Sequence, residues 1–142
     1  MPESAFRILL VEDSDNDRKL LVRELSKSDA YEVDFAFDAP NAISQAMKTH
    51  PDVILLDMGI PAGGGLAVLN WLSLRPELLR IPVIVWSGTR RHNLLDHLKQ
   101  YTNVRGYVEK SGGTEWLVGM LSIIKHSLDK VAHKIKAQPR YA

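Results

Sequence analysis

Val53-Ile54-Leu55-Leu56 is a run of four apolar residues that ends on an acid, Asp57. Successive side chains of a strand point to opposite faces, so a strand here is apolar on both. Such a strand belongs in a parallel sheet covered on both sides. Two more runs have the same character, Ile8-Leu9-Leu10-Val11 and Val83-Ile84-Val85-Trp86. Two weaker strands fit residues 32–36 and 106–108.

Between these runs the apolar spacing becomes helical. Leu20, Leu21 and Leu25 follow the first strand, and Ala42, Ile43, Ala46 and Met47 follow the second, with Pro40 near that helix's start. Leu66, Leu69 and Leu72 follow the third, and Leu94, Leu95 and Leu98 the fourth. A last helix starts near Thr114, a residue suited to an N-cap. The spacing therefore predicts five strand–helix units: an α/β, doubly wound parallel sheet with right-handed crossovers and five helices.

Composition agrees with one such domain. The chain has 142 residues, 45% hydrophobic and 25% charged. With no cysteine, disulfides, thiolate metal sites and Cys nucleophiles are excluded. A formal net charge of +1 makes no general case for nucleic acid or membrane as partner. Uninterrupted apolar runs are far too short to span a bilayer, and the first residues carry no long apolar stretch of a signal peptide, so the expected location is cytoplasmic.

In doubly wound sheets, ligands bind outside the carboxyl ends of the strands. Those ends carry Glu12 and Asp13, then Asp57, then Ser87-Gly88, then Lys110. Each residue alone has an ordinary explanation, since an acid after a strand is commonly a turn former and a lysine is commonly solvated. Together they place three carboxylates, a hydroxyl and an ammonium on one rim. Carboxylates gathered so closely call for a counter-charge. A hard cation with oxygen ligands, Mg²⁺ (or Mn²⁺), supplies it and leaves room for a phosphoryl oxygen. The lysine and the hydroxyl suit the remaining oxygens, and a carboxylate can itself accept phosphate covalently.

With these residues in view, the chain resembles the receiver domain of two-component response regulators, over residues 6–125. Ile8-Leu9-Leu10-Val11-Glu12-Asp13-Ser14 resembles the acidic motif of the family's first strand. Leu55-Leu56-Asp57-Met58, with Pro61 and Gly65 beyond, resembles the phosphoacceptor motif and its loop. Pro82-Val83-Ile84-Val85-Trp86-Ser87-Gly88 and Gly106-Tyr107-Val108-Glu109-Lys110 resemble the fourth and fifth strands. The resemblance implies the flavodoxin-like strand order 2-1-3-4-5, an order the chemotaxis receiver already exemplifies. It implies that Asp57 takes a phosphoryl group from a histidine kinase or a histidine phosphotransfer protein. Asp13 would hold the metal directly and Glu12 through water, with Asp57 and the backbone carbonyl of Gly59 completing the set. Ser87 and Lys110 would bind the phosphoryl group, and Ser87 and Tyr107 would form the switch. The phosphorylated state would act on a downstream protein that the sequence does not name. Small residues at Gly59 and Thr89 would leave water access to the phosphoryl group, and so a short lifetime.

Two stretches depart from the family pattern. Ser111 stands where a proline usually follows the lysine, so the peptide between them need not be cis. Gly63-Gly64-Gly65 replaces an acidic residue before a single glycine, and such a run is expected to loosen the start of the third helix.

Other readings fit less well. Asp13-Ser14-Asp15-Asn16-Asp17 opens like a calcium loop, but Arg18 stands where the loop needs glycine and a strand precedes it. Asp15 and Asp17 are read instead as first-turn acids favoured by the helix dipole. A phosphatase of the haloacid dehalogenase type would need an acidic pair after Lys110, where Ser111-Gly112-Gly113-Thr114-Glu115 stands. A receiver kept only as a binding scaffold would not need the complete acid set and the lysine. No enzymatic turnover beyond the chain's own phosphorylation and dephosphorylation is expected.

The last helix is longer than the family needs. Leu117, Leu121, Ile124, Leu128, Val131 and Ile135 recur in steps of four and three. Residues 1–125 are assigned to the receiver and 126–142 to an extension of this helix and a basic tail. The extension either pairs with a second copy or a partner helix, giving a homodimer in the first case, or is a frayed amphipathic tail. From Lys125 onward five Lys/Arg against one Asp give +4, read as a solvated face. Pro139 should end the helix. Trp71, Trp86 and Trp116 are expected to be core or partly buried packing residues. No DNA-binding or enzymatic output segment is recognisable in these 142 residues: if they are the natural protein the expected output is a protein–protein contact, and if they are part of a longer chain an output domain lies outside them.

Overall fold

The computed structural model describes residues 5–88 and 94–137, with side chains as far as His126. Thr89, Leu128, Val131, Ile135 and Pro139 lie outside the residues or side chains so described. Five strands form one sheet: β1 (Phe6–Val11), β2 (Tyr31–Ala36), β3 (Val53–Leu56), β4 (Val83–Ser87) and β5 (Val104–Glu109). All pairings are parallel and the order is β2-β1-β3-β4-β5. The flavodoxin-like doubly wound arrangement implied by the sequence is the one observed.

The apolar runs do what two-sided strands should. Leu9, Val11, Ile54, Leu56, Val83 and Val85 face one side and pack with α2 (Ala39–Thr49), α3 (Gly64–Ser73), α4 (Pro76–Leu79) and α5 (Leu94–Leu98). Their neighbours Ile8, Leu10, Val53, Leu55, Ile84 and Trp86 face the other side and meet α1 (Asp15–Leu25) and α6 (Glu115–Ala137). Fully burying each such aliphatic side chain contributes roughly 1.5–3 kcal/mol. Both faces of the central strands are therefore needed to hold the rim in place.

Local signals set the helix starts. Ser14 caps α1, accepting from the Asp17 N–H at 3.3 Å, and Asp38 caps α2, accepting from the Asn41 N–H at 2.8 Å. Thr114 precedes α6, and its carbonyl accepts from the Val118 N–H. The helix runs without a break past residue 126. Among the described residues, no helix is long and apolar enough to cross a membrane.

Several details differ from expectation. A sixth helix, α4, adds one short turn before β4. Pro76 opens it and Leu78 is fully buried beneath it. Leu20, Met47, Leu66 and Leu95 lie at the margins of their apolar stripes and are exposed, as are Trp71 and Trp116, whereas Trp86 is core. The glycine run is geometrically required. Gly63 and Gly64 have φ of 102° and 74°, a region that suits glycine, and α3 begins directly at Gly64.

Candidate phosphoryl and metal site

The carboxyl ends of β1, β3, β4 and β5 converge on one rim. Glu12 follows β1 and is fully buried, while Asp13 next to it is exposed. Asp57 follows β3; its N–H donates to the Val11 carbonyl at 3.0 Å, which ties the two strand ends together. The Gly59 N–H donates to Asp57 Oδ1 at 3.3 Å and orients that carboxylate. Oxygens of Glu12, Asp13 and Asp57 lie within 4.8 Å of one another.

Lys110 reaches into this group from the end of β5. Its Nζ donates to Glu12 Oε2 at 2.5 Å and to Asp17 Oδ2 at 2.7 Å, and lies 3.6 Å from Asp57 Oδ2. The same ammonium sits 4.9 Å from the centre of the Trp86 ring. The Lys110–Ser111 peptide is trans, and residues Lys110–Gly112 form a single 3₁₀ turn. Ser87, at the end of β4, is buried, and a cavity of about 200 Å³ opens beside it, lined also by Met58, Gly59, Gly63, Gly64 and Leu94. Tyr107 is half-buried on β5 against the α2–α5 side of the sheet, across the β4–β5 pairing from Val85.

Burial and the neighbouring charges act on Glu12 and Lys110 in opposite senses. Burial pushes the Glu12 carboxyl above the usual carboxylate range and Asp57 adds to this, although hydrogen bonds from Lys110 and the Ser14 N–H pull the other way. For Lys110, burial is the largest single influence and lowers its pKa. The hydrogen bonds to Asp17 and Glu12, with the charges of Glu12 and Asp57, outweigh it, so the ammonium is held above its ordinary value. Among the described residues, the Lys110 ammonium thus meets three carboxylates, those of Glu12, Asp17 and Asp57, and Asp13 adds a fourth beside Glu12 and Asp57. That leaves excess negative charge on three convergent carboxylates, a donor set that fits a hard divalent cation.

The structure brings Glu12, Asp13, Asp57, Ser87, Gly59 and Lys110 to one rim, as the sequence suggests. The first-turn position of Asp17 predicts only a helix-dipole acid. Its carboxylate instead binds Lys110, 93 positions away. Only its place in the first turn of α1, on the same rim, could have hinted at this.

A doubly wound five-stranded domain with an acidic pocket and a lysine at its carboxyl rim defines the class. Within it, the response regulator receiver domain family matches residues 8–122, and the chain belongs to that family. The polar-differentiation response regulator DivK of Brucella ovis is 38% identical over 77 residues, which cover 54% of this chain and 62% of DivK. Among solved structures, the phosphorylated cyanobacterial phytochrome response regulator RcpA superposes with a TM-score of 0.72 at 30% identity, over 87% of this chain and 91% of that one. The Mn²⁺-bound form of response regulator Rcp1 gives 0.70 at 29% identity, over 84% and 91%. The matched stretch spans less than two thirds of the curated relatives, from 17% to 62% of their length.

Proposed function

We propose that this receiver accepts a phosphoryl group on Asp57 from the phosphohistidine of a histidine kinase or histidine phosphotransfer protein, and thereby switches a protein–protein surface. The observation that carries the reading is the placement of Lys110 Nζ 3.6 Å from Asp57 Oδ2, inside a cluster of three carboxylates. A carboxylate oxygen of Asp57 attacks phosphorus, the new P–O bond forms as the P–N bond breaks, and the electron pair leaves on the imidazole nitrogen. Hydrolysis reverses the state: water attacks phosphorus and the P–O bond to Asp57 breaks, releasing inorganic phosphate and the free carboxylate.

The residues divide the work by charge. Glu12, Asp13, Asp57 and the Gly59 carbonyl would hold Mg²⁺ or Mn²⁺, which when bound neutralises carboxylate and phosphoryl charge. The Mn²⁺ in Rcp1 and the phosphorylated state of RcpA support this for relatives of similar fold. Lys110 pairs with one phosphoryl oxygen and the Ser87 hydroxyl donates to another. Ser87 moving toward the phosphoryl group leaves space into which Tyr107 turns, and this alters the surface around β4 and β5 for a downstream protein. In this reading the extension of α6 pairs with a second copy or a partner helix. The protein works in the cytoplasm and turns over no separate substrate.

Intact-mass measurement after acetyl phosphate and Mg²⁺ tests the reading. The wild type is expected to gain one phosphoryl group and Asp57→Asn none. A wild type that stays at its unmodified mass sinks the proposal.

A further inference from the structure

The first turn of α1 is capped in an unusual way. The N-cap residue is Ser14, so Asp17 occupies the third helical position, where an acid commonly reaches back to the N-cap N–H. Here that N–H donates to Glu12 Oε1 at 3.0 Å instead. The Asp17 carboxylate is released from local capping and turns to Lys110, with its Oδ2 2.7 Å from Nζ. The link joins α1 to the end of β5 across the rim, and the Asp17 side chain remains one-third exposed.

We propose that Asp17 is a positioning residue for Lys110: it draws the ammonium toward α1 and competes for it with a phosphoryl group on Asp57. The inference rests on the phosphoacceptor reading above and names a control on the same site. Lys110 has two close partners in the resting state, Glu12 and Asp17. Once Glu12 is occupied with a cation, Asp17 is the counter-charge that still competes. Removing it frees Lys110 for the phosphoryl oxygens, and phosphoryl-like ligands should bind more tightly.

Asp15 provides the comparison. It lies in the same first turn, carries the same charge, and pairs with Arg18 on the exposed side of the helix. With beryllofluoride at saturating Mg²⁺, Asp17→Asn is expected to lower the dissociation constant about threefold to fivefold, the scale of one partly exposed ion pair. Asp15→Asn should leave it unchanged. In a Lys110→Ala chain, Asp17→Asn should have no effect. Equal effects of the two first-turn variants, or a gain that persists without Lys110, would overturn the proposal.

A second readout needs no phosphoryl mimic. With Trp71→Phe and Trp116→Phe, emission reports Trp86, whose ring lies under the Lys110 ammonium. Asp17→Asn should then shift the resting emission, and an unchanged spectrum overturns the positioning role. A wild type that binds no beryllofluoride would defeat the phosphoacceptor reading, while the emission still decides whether Asp17 positions Lys110.

Discussion

Lys110→Ala is expected to destabilise the metal-free protein by about 2–4 kcal/mol at pH 8, and by much less near pH 4. The side chain of Glu12 is 1% exposed and that of Lys110 15%, so their contact is almost wholly desolvated. Removing one partner of such a pair leaves the other charge without compensation, which costs more than the intact pair contributes. The pH dependence follows from Glu12. Its folded pKa is already raised above the ordinary 4.5 by burial, and the hydrogen bond from Lys110 is the chief influence holding it down. Without Lys110 it rises further. A carboxyl raised in the folded state favours folding below its unfolded pKa, and that contribution is lost as pH rises through the folded value. The variant therefore loses stability from about pH 4.5 upward until Glu12 is ionised. Lys110 itself is raised above 10.5, so in the wild type its contribution is fully present at neutral pH and is lost only at strongly alkaline pH. Urea unfolding with chelator at the two pH values checks this, and equal losses at both would contradict it. Adding Glu12→Gln to the variant should recover much of the deficit at pH 8, because the uncompensated charge is then gone.

The contrast between Glu12 and Asp17 shows what the sequence could reveal about the site. Glu12, Asp57 and Ser87 were legible because each ends a recognisable apolar run and Lys110 because it follows the weaker fifth strand, and a parallel sheet sends all those ends to one rim. The run itself fixes the position. Asp17 ends no run, and a first-turn acid has an adequate local explanation in the dipole, so its long-range partner left no signal. The sheet was legible for the same reason as the rim, since Val53-Ile54-Leu55-Leu56 suits only a strand covered on both faces. Strand order was not: apolar runs carry no neighbour information, and 2-1-3-4-5 came from the family motifs. The turn at Pro76–Leu79 is too short to establish helical periodicity, although Pro76 and Glu77 are proper first-turn residues. Trp116 shows the converse failure. Its size suggested packing, but it falls off the Leu117–Leu121 stripe of α6 and is exposed.

Gly65→Ala should be the most damaging of the small substitutions, with a loss of about 2–3 kcal/mol and a sharp fall in phosphorylation rate. The glycine run reads in sequence as a flexible spacer, yet a Cβ at Gly65 would lie 2.8 Å from Met58 Cα, 2.6 Å from Met58 Sδ and 3.1 Å from the Asp57 carbonyl oxygen. The methionine sulfur can swing aside, but the backbone atoms belong to the segment that carries Asp57. The Gly65 N–H also donates to the Met58 carbonyl at 3.0 Å, so the start of α3 is pinned where the added methyl cannot fit. Either α3 lifts from the sheet, with loss of packing at Val68 and Leu69, or the Asp57 backbone shifts. Displacement of a reacting group by about 1 Å can cost on the order of 100-fold in rate. Gly119 supplies the opposite case on the same molecule. It lies inside α6, and a Cβ there meets nothing within 4 Å. Gly119→Ala should therefore stabilise by about 0.5–1 kcal/mol through helix propensity alone and leave phosphorylation unchanged. Thermal melts and acetyl phosphate labelling of the two variants decide the matter. If Gly65→Ala melts and labels like the wild type, the close approach of α3 to the phosphoacceptor segment has no role in placing Asp57.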